Sequence, residues 1–334
     1  MTAPLRSDAR VYVSRRLPDA GMSELERSGC QLDVNPHERP PAREEFLSAA
    51  AGAHGVLTLL TELVDEELFA RAGPQLKIVA NCAVGYDNID VAAASRHGVV
   101  VTNTPRVLDE ATADLTMALI LASARRLVEA DRYVRQGNEW IWGPRMFLGL
   151  DVSAGSTLGI VGLGRIGTAV ARRAAAFNMR LLATHVSASA RGDADALDVE
   201  EVDLRTLLRS SDVVTLHCPL TPATRRLIGT DELKLMRSHA VLVNTARGPI
   251  VDEQALVHAL ERGVIGGAAL DVYEAEPTVH PALLTLENVI TLPHIASAGR
   301  ATRDAMALLA VRNVVSVLSG DRPLSPVVVA TAPA

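Results

Sequence analysis

Short apolar runs and amphipathic stretches alternate along almost the whole chain. In the first hundred residues Arg10–Ser14, Gly55–Leu59, Leu76–Asn81 and Gly98–Thr102 are rich in Val, Leu and Ile, and predict strands buried on both faces. Between them Ser23–Ser28, Arg43–Ala51, Asp65–Ala70 and Val91–Ser95 carry helical spacing or polar starts. Strand alternating with helix predicts an α/β protein, a parallel sheet covered by helices on both faces. Asn103-Thr104-Pro105 then interrupts the pattern, because proline removes a donor and disfavours helix just before it. One long helix is predicted from about Glu110 to Gln136, with Leu115, Leu119, Leu127 and Val134 at helical spacing and Gly137-Asn138 as its stop. A helix of that length serves either subunit contact or the core of one subunit.

The alternation resumes with Leu158–Val161, Arg180–Thr184, Asp212–His217, Ala240–Thr245, Gly267–Asp271 and Asn288–Leu292 as strands. Asp252–Arg262 is a predicted helix between two of them, and a final helix runs from about Ala301 to Leu318. No internal repeat, low-complexity tract or flexible linker stands out. Two domains joined by a rigid double crossing are therefore expected, with a cleft as the natural site.

Composition narrows the class. A chain of 334 residues, 48% hydrophobic and 22% charged, can bury the cores of two domains. The net charge of −6 comes without a long basic run, which argues against a nucleic-acid partner. Cys30, Cys82 and Cys218 are widely spaced, form no metal-spaced set and point to a reducing compartment, the cytoplasm. No charged-then-apolar leader and no membrane-length segment is read.

The sharpest local signal is Gly162-Leu163-Gly164-Arg165-Ile166-Gly167, set between the strand Leu158–Val161 and the amphipathic run Ala169–Phe177. The first glycine permits a tight turn, the second lets backbone approach phosphates, and the third lets helix and strand pack closely. The helix N-terminus adds unsatisfied N–H groups and partial positive charge. Strand, glycine turn and helix together predict a cradle for a dinucleotide pyrophosphate.

Three further segments place unusual polar residues at predicted strand ends: Asn244–Gly248, Leu270–Pro277 and Leu292–Ser297. In a parallel sheet the carboxyl ends of strands face the ligand. Arg247 presents a planar fork suited to a carboxylate. His294 can donate or remove a proton at a carbonyl oxygen, and Glu276 within reach would orient the imidazole and favour its charged form. Singly, each residue reads as a loop cap, a surface ion pair or a solvated turn. Together behind a dinucleotide turn they suit reduction of a keto acid. In the first half, the N–H groups of Val84 and Gly85, within Asn81–Asp90, could hold a small carboxylate.

These motifs, in this order and over nearly the whole chain, resemble the D-isomer-specific 2-hydroxyacid dehydrogenases, and within them the glyoxylate/hydroxypyruvate reductases. The resemblance implies two doubly wound parallel-sheet domains, a Rossmann cofactor domain inserted into a discontinuous flavodoxin-like substrate domain. Residues 1–106 and 296–334 would form the substrate domain, and 107–295 the cofactor domain with a dimerisation helix. It implies Arg247 as substrate-binding arginine, Glu276 as the histidine's partner and His294 as acid/base. Asp271 would meet the nicotinamide carboxamide. Thr112, Gly162, Leu163, Gly164, Arg165, Ile166, Gly167, Cys218, Pro219, Thr245, Ala246 and Ala296 match cofactor-contacting positions. Leu59, Leu60, Val84 and Gly85 would line the substrate side. A homodimer is implied, in which Trp142, with Trp140 as fallback, reaches the other copy's substrate or packs in the seam.

NAD-preferring members place an acid at the end of the second cofactor strand, where it binds the ribose hydroxyls. Here that stretch reads Leu181–Ser187 and carries none. His185, Ser187 and Ser189, with Arg191 following, favour NADP slightly over NAD, and dual use fits as well. The leading expectation is NAD(P)H-dependent reduction of glyoxylate or hydroxypyruvate. A phenylpyruvate-type specificity stays open, as does a cofactor-sensing corepressor-like protein, although the chain ends soon after Ser325–Val329. Formate oxidation is disfavoured by Glu276, where such relatives carry glutamine, and phosphite oxidation by Val84, where they carry lysine.

Overall fold

The computed structural model describes residues 8–327; the first seven residues, read as lacking a leader, and Val328 and Val329 of the tail lie outside the described residues. Its elements run β1 (Arg10–Val13), α1 (Asp19–Arg27), β2 (Gln31–Val34), α2 (Arg43–Ala50), β3 (Gly55–Thr58), α3 (Glu66–Ala72), β4 (Ile78–Asn81), α4 (Val91–Arg96) and β5 (Val100–Thr102). Then follow α5 (Asp109–Ala124), α6 (Leu127–Arg135), β6 (Thr157–Leu163), α7 (Arg165–Ala176), β7 (Arg180–Val186), α8 (Arg191–Ala196), β8 (Glu200–Glu201), α9 (Leu204–Ser210) and β9 (Val213–Leu216). The last are α10 (Thr230–Leu235), β10 (Val241–Asn244), α11 (Glu253–Glu261), β11 (Gly267–Leu270), β12 (Val289–Thr291) and α12 (Arg300–Leu318).

Among the described residues the chain divides into two compact units, 8–108 with 298–327, and 109–297. The first holds a five-stranded sheet in the order β2-β1-β3-β4-β5, the flavodoxin-like order. The second holds a seven-stranded sheet in the order β12-β11-β10-β9-β6-β7-β8, the Rossmann order with one strand added. Every strand pair is parallel. The central strands are buried along their whole length, which is why they read as unbroken apolar runs. Aspartates start several helices by accepting a backbone N–H of the first turn: Asp65 from Leu68, Asp90 from Ala93, Asp203 from Thr206 and Asp252 from Ala255.

The alternation misses one edge of each sheet and finds the other, β5 and β12. β2 is half exposed and mixed in composition, and β8 has two glutamates, so neither carries a buried-strand signature. It also misses α8, α9 and α10 among the short connections.

The long helix predicted over Glu110–Gln136 is two helices. Arg126 sits in the left-handed region at φ 51°, and the Ala124 carbonyl accepts the N–H of Leu150 at 2.8 Å. A Cβ at Gly149 would lie 2.0 Å from that carbonyl, so the returning chain presses directly on the break. Arg126 then grips Glu129 with Nε and Nη2 at 2.8 and 2.5 Å, seating the first turn of α6. A partner two dozen residues downstream imposes the kink, so no local pattern announces it.

Candidate active site

The strand order of the larger sheet reverses between β6 and β9, and in an open α/β sheet ligands collect beyond the carboxyl ends of the strands at that point. The glycine turn leaves β6 there, and its three glycines have three separate reasons. Gly162 has φ 94°, and a Cβ on it would lie 2.8 Å from the Cys218 nitrogen, so it is required by backbone shape and by the neighbouring loop. A Cβ on Gly167 would lie 2.5 Å from the Gly162 carbonyl, so it lets α7 close onto the strand. A Cβ on Gly164 would meet nothing within 4 Å, and Gly164 is the N-cap of α7. No protein contact demands a glycine at this middle position. Open space in front of a twelve-residue helix's N-terminal N–H groups fits a pyrophosphate.

The neighbouring strand ends complete that edge. Cys218 is buried after β9, with its thiol pushed up to about 11 by burial, and is therefore unreactive. His217, unmarked by any sequence pattern, has its pKa driven down to about 3 by burial, so its imidazole is neutral and shares a 3.0 Å hydrogen bond with Thr215. Thr112 is buried in α5, and its carbonyl accepts the Thr116 hydroxyl, which lies 2.9 Å from the Thr245 hydroxyl. Thr116, also missed, thereby ties α5 to the turn that carries Ala246 and Arg247. At the end of β7, His185 is exposed at φ 56° and Ser187 lies 3.3 Å from Ser189. Arg191 donates to Glu201 of β8 at 2.9 Å. Glu201 is held below the usual carboxylate range first by that bond, then by the Val186 N–H and the charges of Arg191 and His185. An acid does reach the end of β7, from a strand too short to see in sequence.

The three polar segments converge at the ends of β10, β11 and β12. Asn244 closes the turn after β10: its Nδ2 donates to the Arg247 carbonyl at 2.9 Å and its Oδ1 accepts from Ala246 N. Arg247 Nη1 donates to the Ala246 carbonyl at 2.8 Å. His294 Nδ1 lies 2.9 Å from Glu276 Oε2, and Glu276 Oε1 accepts the Tyr273 N–H at 3.0 Å. Burial alone would raise the Glu276 carboxyl. The His294 hydrogen bond and charge, then the Tyr273 N–H and the Arg247 charge, together hold it below its ordinary range, so it is ionised at neutral pH. His294 Nε2 makes no hydrogen bond among the described residues.

His294 itself sits at φ 55°, in the left-handed region that non-glycine residues adopt uncommonly. Asp271 holds it there: its two oxygens accept the N–H groups of Ile295 and Ala296, each at 2.8 Å. Burial pushes the Asp271 carboxyl up, against those two N–H groups. In the smaller unit, the loop after β3 is braced by buried Glu62, which accepts from Ser14, Thr58 and Leu59 N. That loop carries Leu59 and Leu60, both partly exposed. The carbonyls of Val84 and Gly85 accept from Asn103 and Asn81, while their N–H groups donate to no partner among the described residues. Trp142 is 77% exposed.

A cavity of about 400 Å³ lies at the opposite end of the larger sheet, lined by Arg126, Glu129, Val241, Gly267, Asn288 and Ile290. It holds none of these groups, and the chemistry is not there. Among the described residues there is no cluster that could hold a metal ion, and no helix long and apolar enough to cross a membrane.

Known proteins resemble this chain in sequence and in fold. The family described as D-isomer specific 2-hydroxyacid dehydrogenase, NAD binding domain, matches residues 117–296. The glyoxylate reductase of Korarchaeum cryptofilum is 49% identical over 319 residues, covering 94% of each chain. A crystal structure of a Thermus thermophilus protein superposes with a TM-score of 0.88 at 45% identity, covering 96% of this chain and all of that one. An NADPH-dependent glyoxylate/hydroxypyruvate reductase from Sinorhizobium meliloti, in complex with NADP and malonate, gives 0.81 at 34% identity, over 96% of both.

Proposed function

The chain belongs to the D-isomer specific 2-hydroxyacid dehydrogenases, oxidoreductases acting on a CH–OH group with a nicotinamide coenzyme, and on that premise we propose that it reduces glyoxylate, and hydroxypyruvate beside it. The product is the 2-hydroxy acid, of D configuration where it is chiral. The single observation that carries the reading is the oriented His294–Glu276 pair: one nitrogen is committed to an ionised carboxylate, the other left for a substrate oxygen.

Each residue then has a task. Arg247 binds the substrate carboxylate through its planar fork and draws electron density from the ketone. Bound NAD(P)H supplies the hydride that forms the new C–H bond. His294 donates its Nε2 proton to the ketone oxygen, forming the hydroxyl, while Glu276 stabilises the imidazolium before that transfer. Val84 and Gly85 offer N–H groups to the substrate carboxylate, and Leu60 sets the room available to the side chain. Gly162, Leu163, Gly164, Arg165, Ile166 and Gly167 would hold the pyrophosphate. Thr112, Cys218, Pro219, Thr245, Ala246 and Ala296 would bound the rest of the coenzyme site. Asp271, with a lone pair left on each oxygen, would receive the carboxamide while anchoring the His294 loop. His185, Ser187 and Ser189 favour NADP modestly, opposed by Glu201, so both coenzymes serve. Residues 1–106 with 296–334 are assigned to substrate, and 107–295 to coenzyme. Three free cysteines suit the cytoplasm.

The partner is a second copy of this chain. Helix α6 is amphipathic yet buries no residue, and Leu127, Val134, Trp140, Ile141, Trp142 and Leu148 all stand exposed over one stretch. In that dimer Trp142 approaches the other copy's substrate. The deciding experiment is initial-rate turnover of glyoxylate, hydroxypyruvate, pyruvate and phenylpyruvate with NADH and with NADPH. Glyoxylate or hydroxypyruvate should have the highest kcat/KM. Coenzyme binding without turnover of any acid would overturn the reading.

A further inference from the structure

Tyr273 bonds Glu276 directly and meets the backbone beside each of the other two groups assigned to the chemistry, Arg247 and His294. Its N–H donates to Glu276 Oε1 at 3.0 Å, fixing the carboxylate whose other oxygen meets His294. Its hydroxyl donates to the Leu292 carbonyl at 2.9 Å, two residues ahead of His294, with the Leu270 carbonyl at 3.3 Å. Leu270 O already accepts the Leu292 N–H at 2.8 Å, so the Leu292 carbonyl is the better acceptor for the single hydroxyl proton. Its carbonyl carbon and oxygen would each lie 1.9 Å from a Cβ on Gly248, so the Tyr273–Glu274 peptide lies flat against the residue after Arg247. The side chain is buried, and the peptide after it is locked further: Glu274 N donates to Glu253 at 2.9 Å, and Glu274 accepts Arg226 at 2.8 Å.

We propose that Tyr273 is a positioning residue for the reaction, its backbone setting Glu276 and the Arg247 turn while its hydroxyl fixes the strand end that presents His294. One residue thus keeps three loops, after β10, β11 and β12, in register with one another. The inference rests on the reading that Arg247, Glu276 and His294 act on the keto acid.

The test is Tyr273→Phe in the full-length enzyme, which removes the hydroxyl and nothing else. The variant should keep the wild-type circular dichroism spectrum and the wild-type KM for coenzyme. Its kcat should fall about three- to tenfold, the effect of one buried hydrogen bond on a site that needs close alignment. The alkaline limb of the kcat/KM profile should move to lower pH, because a His294 held less firmly against Glu276 has its imidazolium favoured less. A bulk structural role would move neither the pH profile nor the coupling between sites. Glu276→Gln supplies the second readout: the double variant should be no slower than Glu276→Gln alone, since both act through one pair. A folded Tyr273→Phe enzyme with wild-type kcat and pH profile overturns the proposal, as do losses that multiply in the double variant. His294→Ala separates this from the underlying reading: if it retains turnover, the assignment of the site fails, whereas an inactive His294→Ala beside a fully active Tyr273→Phe removes Tyr273 alone.

Discussion

The larger sheet carries a carboxylate–histidine pair at each end. At the amino ends of its strands Asp212 lies 2.8 Å from His239; at the carboxyl ends Glu276 lies 2.9 Å from His294. The partners are alike, Nε2 of His239 and Nδ1 of His294 each on a carboxylate, but the surroundings differ. Asp212 also accepts the Thr157 N–H at 2.8 Å and Arg237 at 2.6 Å, so it ties the starts of β6, β9 and β10 together. At the other end the histidine is held in a left-handed conformation by the two N–H bonds that Asp271 accepts just after it. A carboxylate beside an imidazole is therefore not by itself a catalytic sign. A left-handed backbone that a third group, Asp271, maintains makes the distinction.

The comparison breaks most directly on the two histidines. His294→Asn should lower kcat about 10²–10⁴-fold, the usual contribution of a positioned acid, with little change in the melting temperature. His239→Asn should leave kcat at the wild-type value and cost stability instead. Steady-state assays with thermal denaturation read both. Turnover surviving in the first, or lost in a folded second, would reverse the assignment of the two ends.

Next in size is Asp212→Asn, expected to lower unfolding free energy in urea by about 2 kcal/mol, roughly 30-fold in the equilibrium constant. The loss stays near that size because the Arg237 and His239 side chains are 42% and 56% exposed and so partly screened by solvent. Burial would raise the Asp212 carboxyl, but the Thr157 N–H, His239 and Arg237 bring it below the ordinary value. A depressed carboxylate contributes stability that is complete above its unfolded pKa, about 3.9, and is lost as pH falls further, through the folded value. The wild-type protein should lose stability steeply below about pH 4, and the variant less steeply. Parallel curves for the two proteins would mean that Asp212 does not bear the load.

The glycine turn divides the carboxyl edge in the same way, into parts the protein needs and parts a ligand needs. Gly164→Ala should leave the melting temperature unchanged and weaken coenzyme binding about tenfold, the cost of crowding a pyrophosphate held by backbone N–H groups. Gly162→Ala should unfold more easily by about 1–3 kcal/mol, from a forced left-handed conformation and the contact with Cys218. Equal loss of stability in the two, measured alongside coenzyme titration, would show that the space before Gly164 is not a ligand's.

Buried strands were legible because parallel strands covered on both faces write themselves as apolar runs, and such runs mark the centres of both sheets. The glycine turn and the Arg247, Glu276 and His294 segments were legible because each chemistry-bearing residue sits just after such a run. What stayed hidden depends on contacts across the chain. The break at Arg126 is made by Leu150, and β2 is stabilised by β1 rather than by its own composition. The grip of Asp271 on Ile295 and Ala296 joins loops 24 and 25 residues apart, with no spacing rule to find it. Glu201 escaped for the same reason: two glutamates in a row look like solvent-facing loop.

Glu201 also sets the smallest expected effect at this edge. His185→Asp puts a carboxylate at the end of β7, where it can accept both ribose hydroxyls and repel a 2′-phosphate. Aspartate tolerates the left-handed conformation that His185 already has, so the backbone need not move. The ratio of kcat/KM for NADP over NAD should fall only about two- to fivefold, the scale of an exposed, salt-screened charge interaction. It is small because Glu201 already brings negative charge to that corner and occupies Arg191. Glu201→Gln should act oppositely, releasing Arg191 toward a 2′-phosphate and raising the same ratio. Movement in opposite directions would establish that β8 reads the ribose as well as β7. A ratio unmoved by either substitution would mean that this part of the carboxyl edge, like the amino edge, only holds the sheet together.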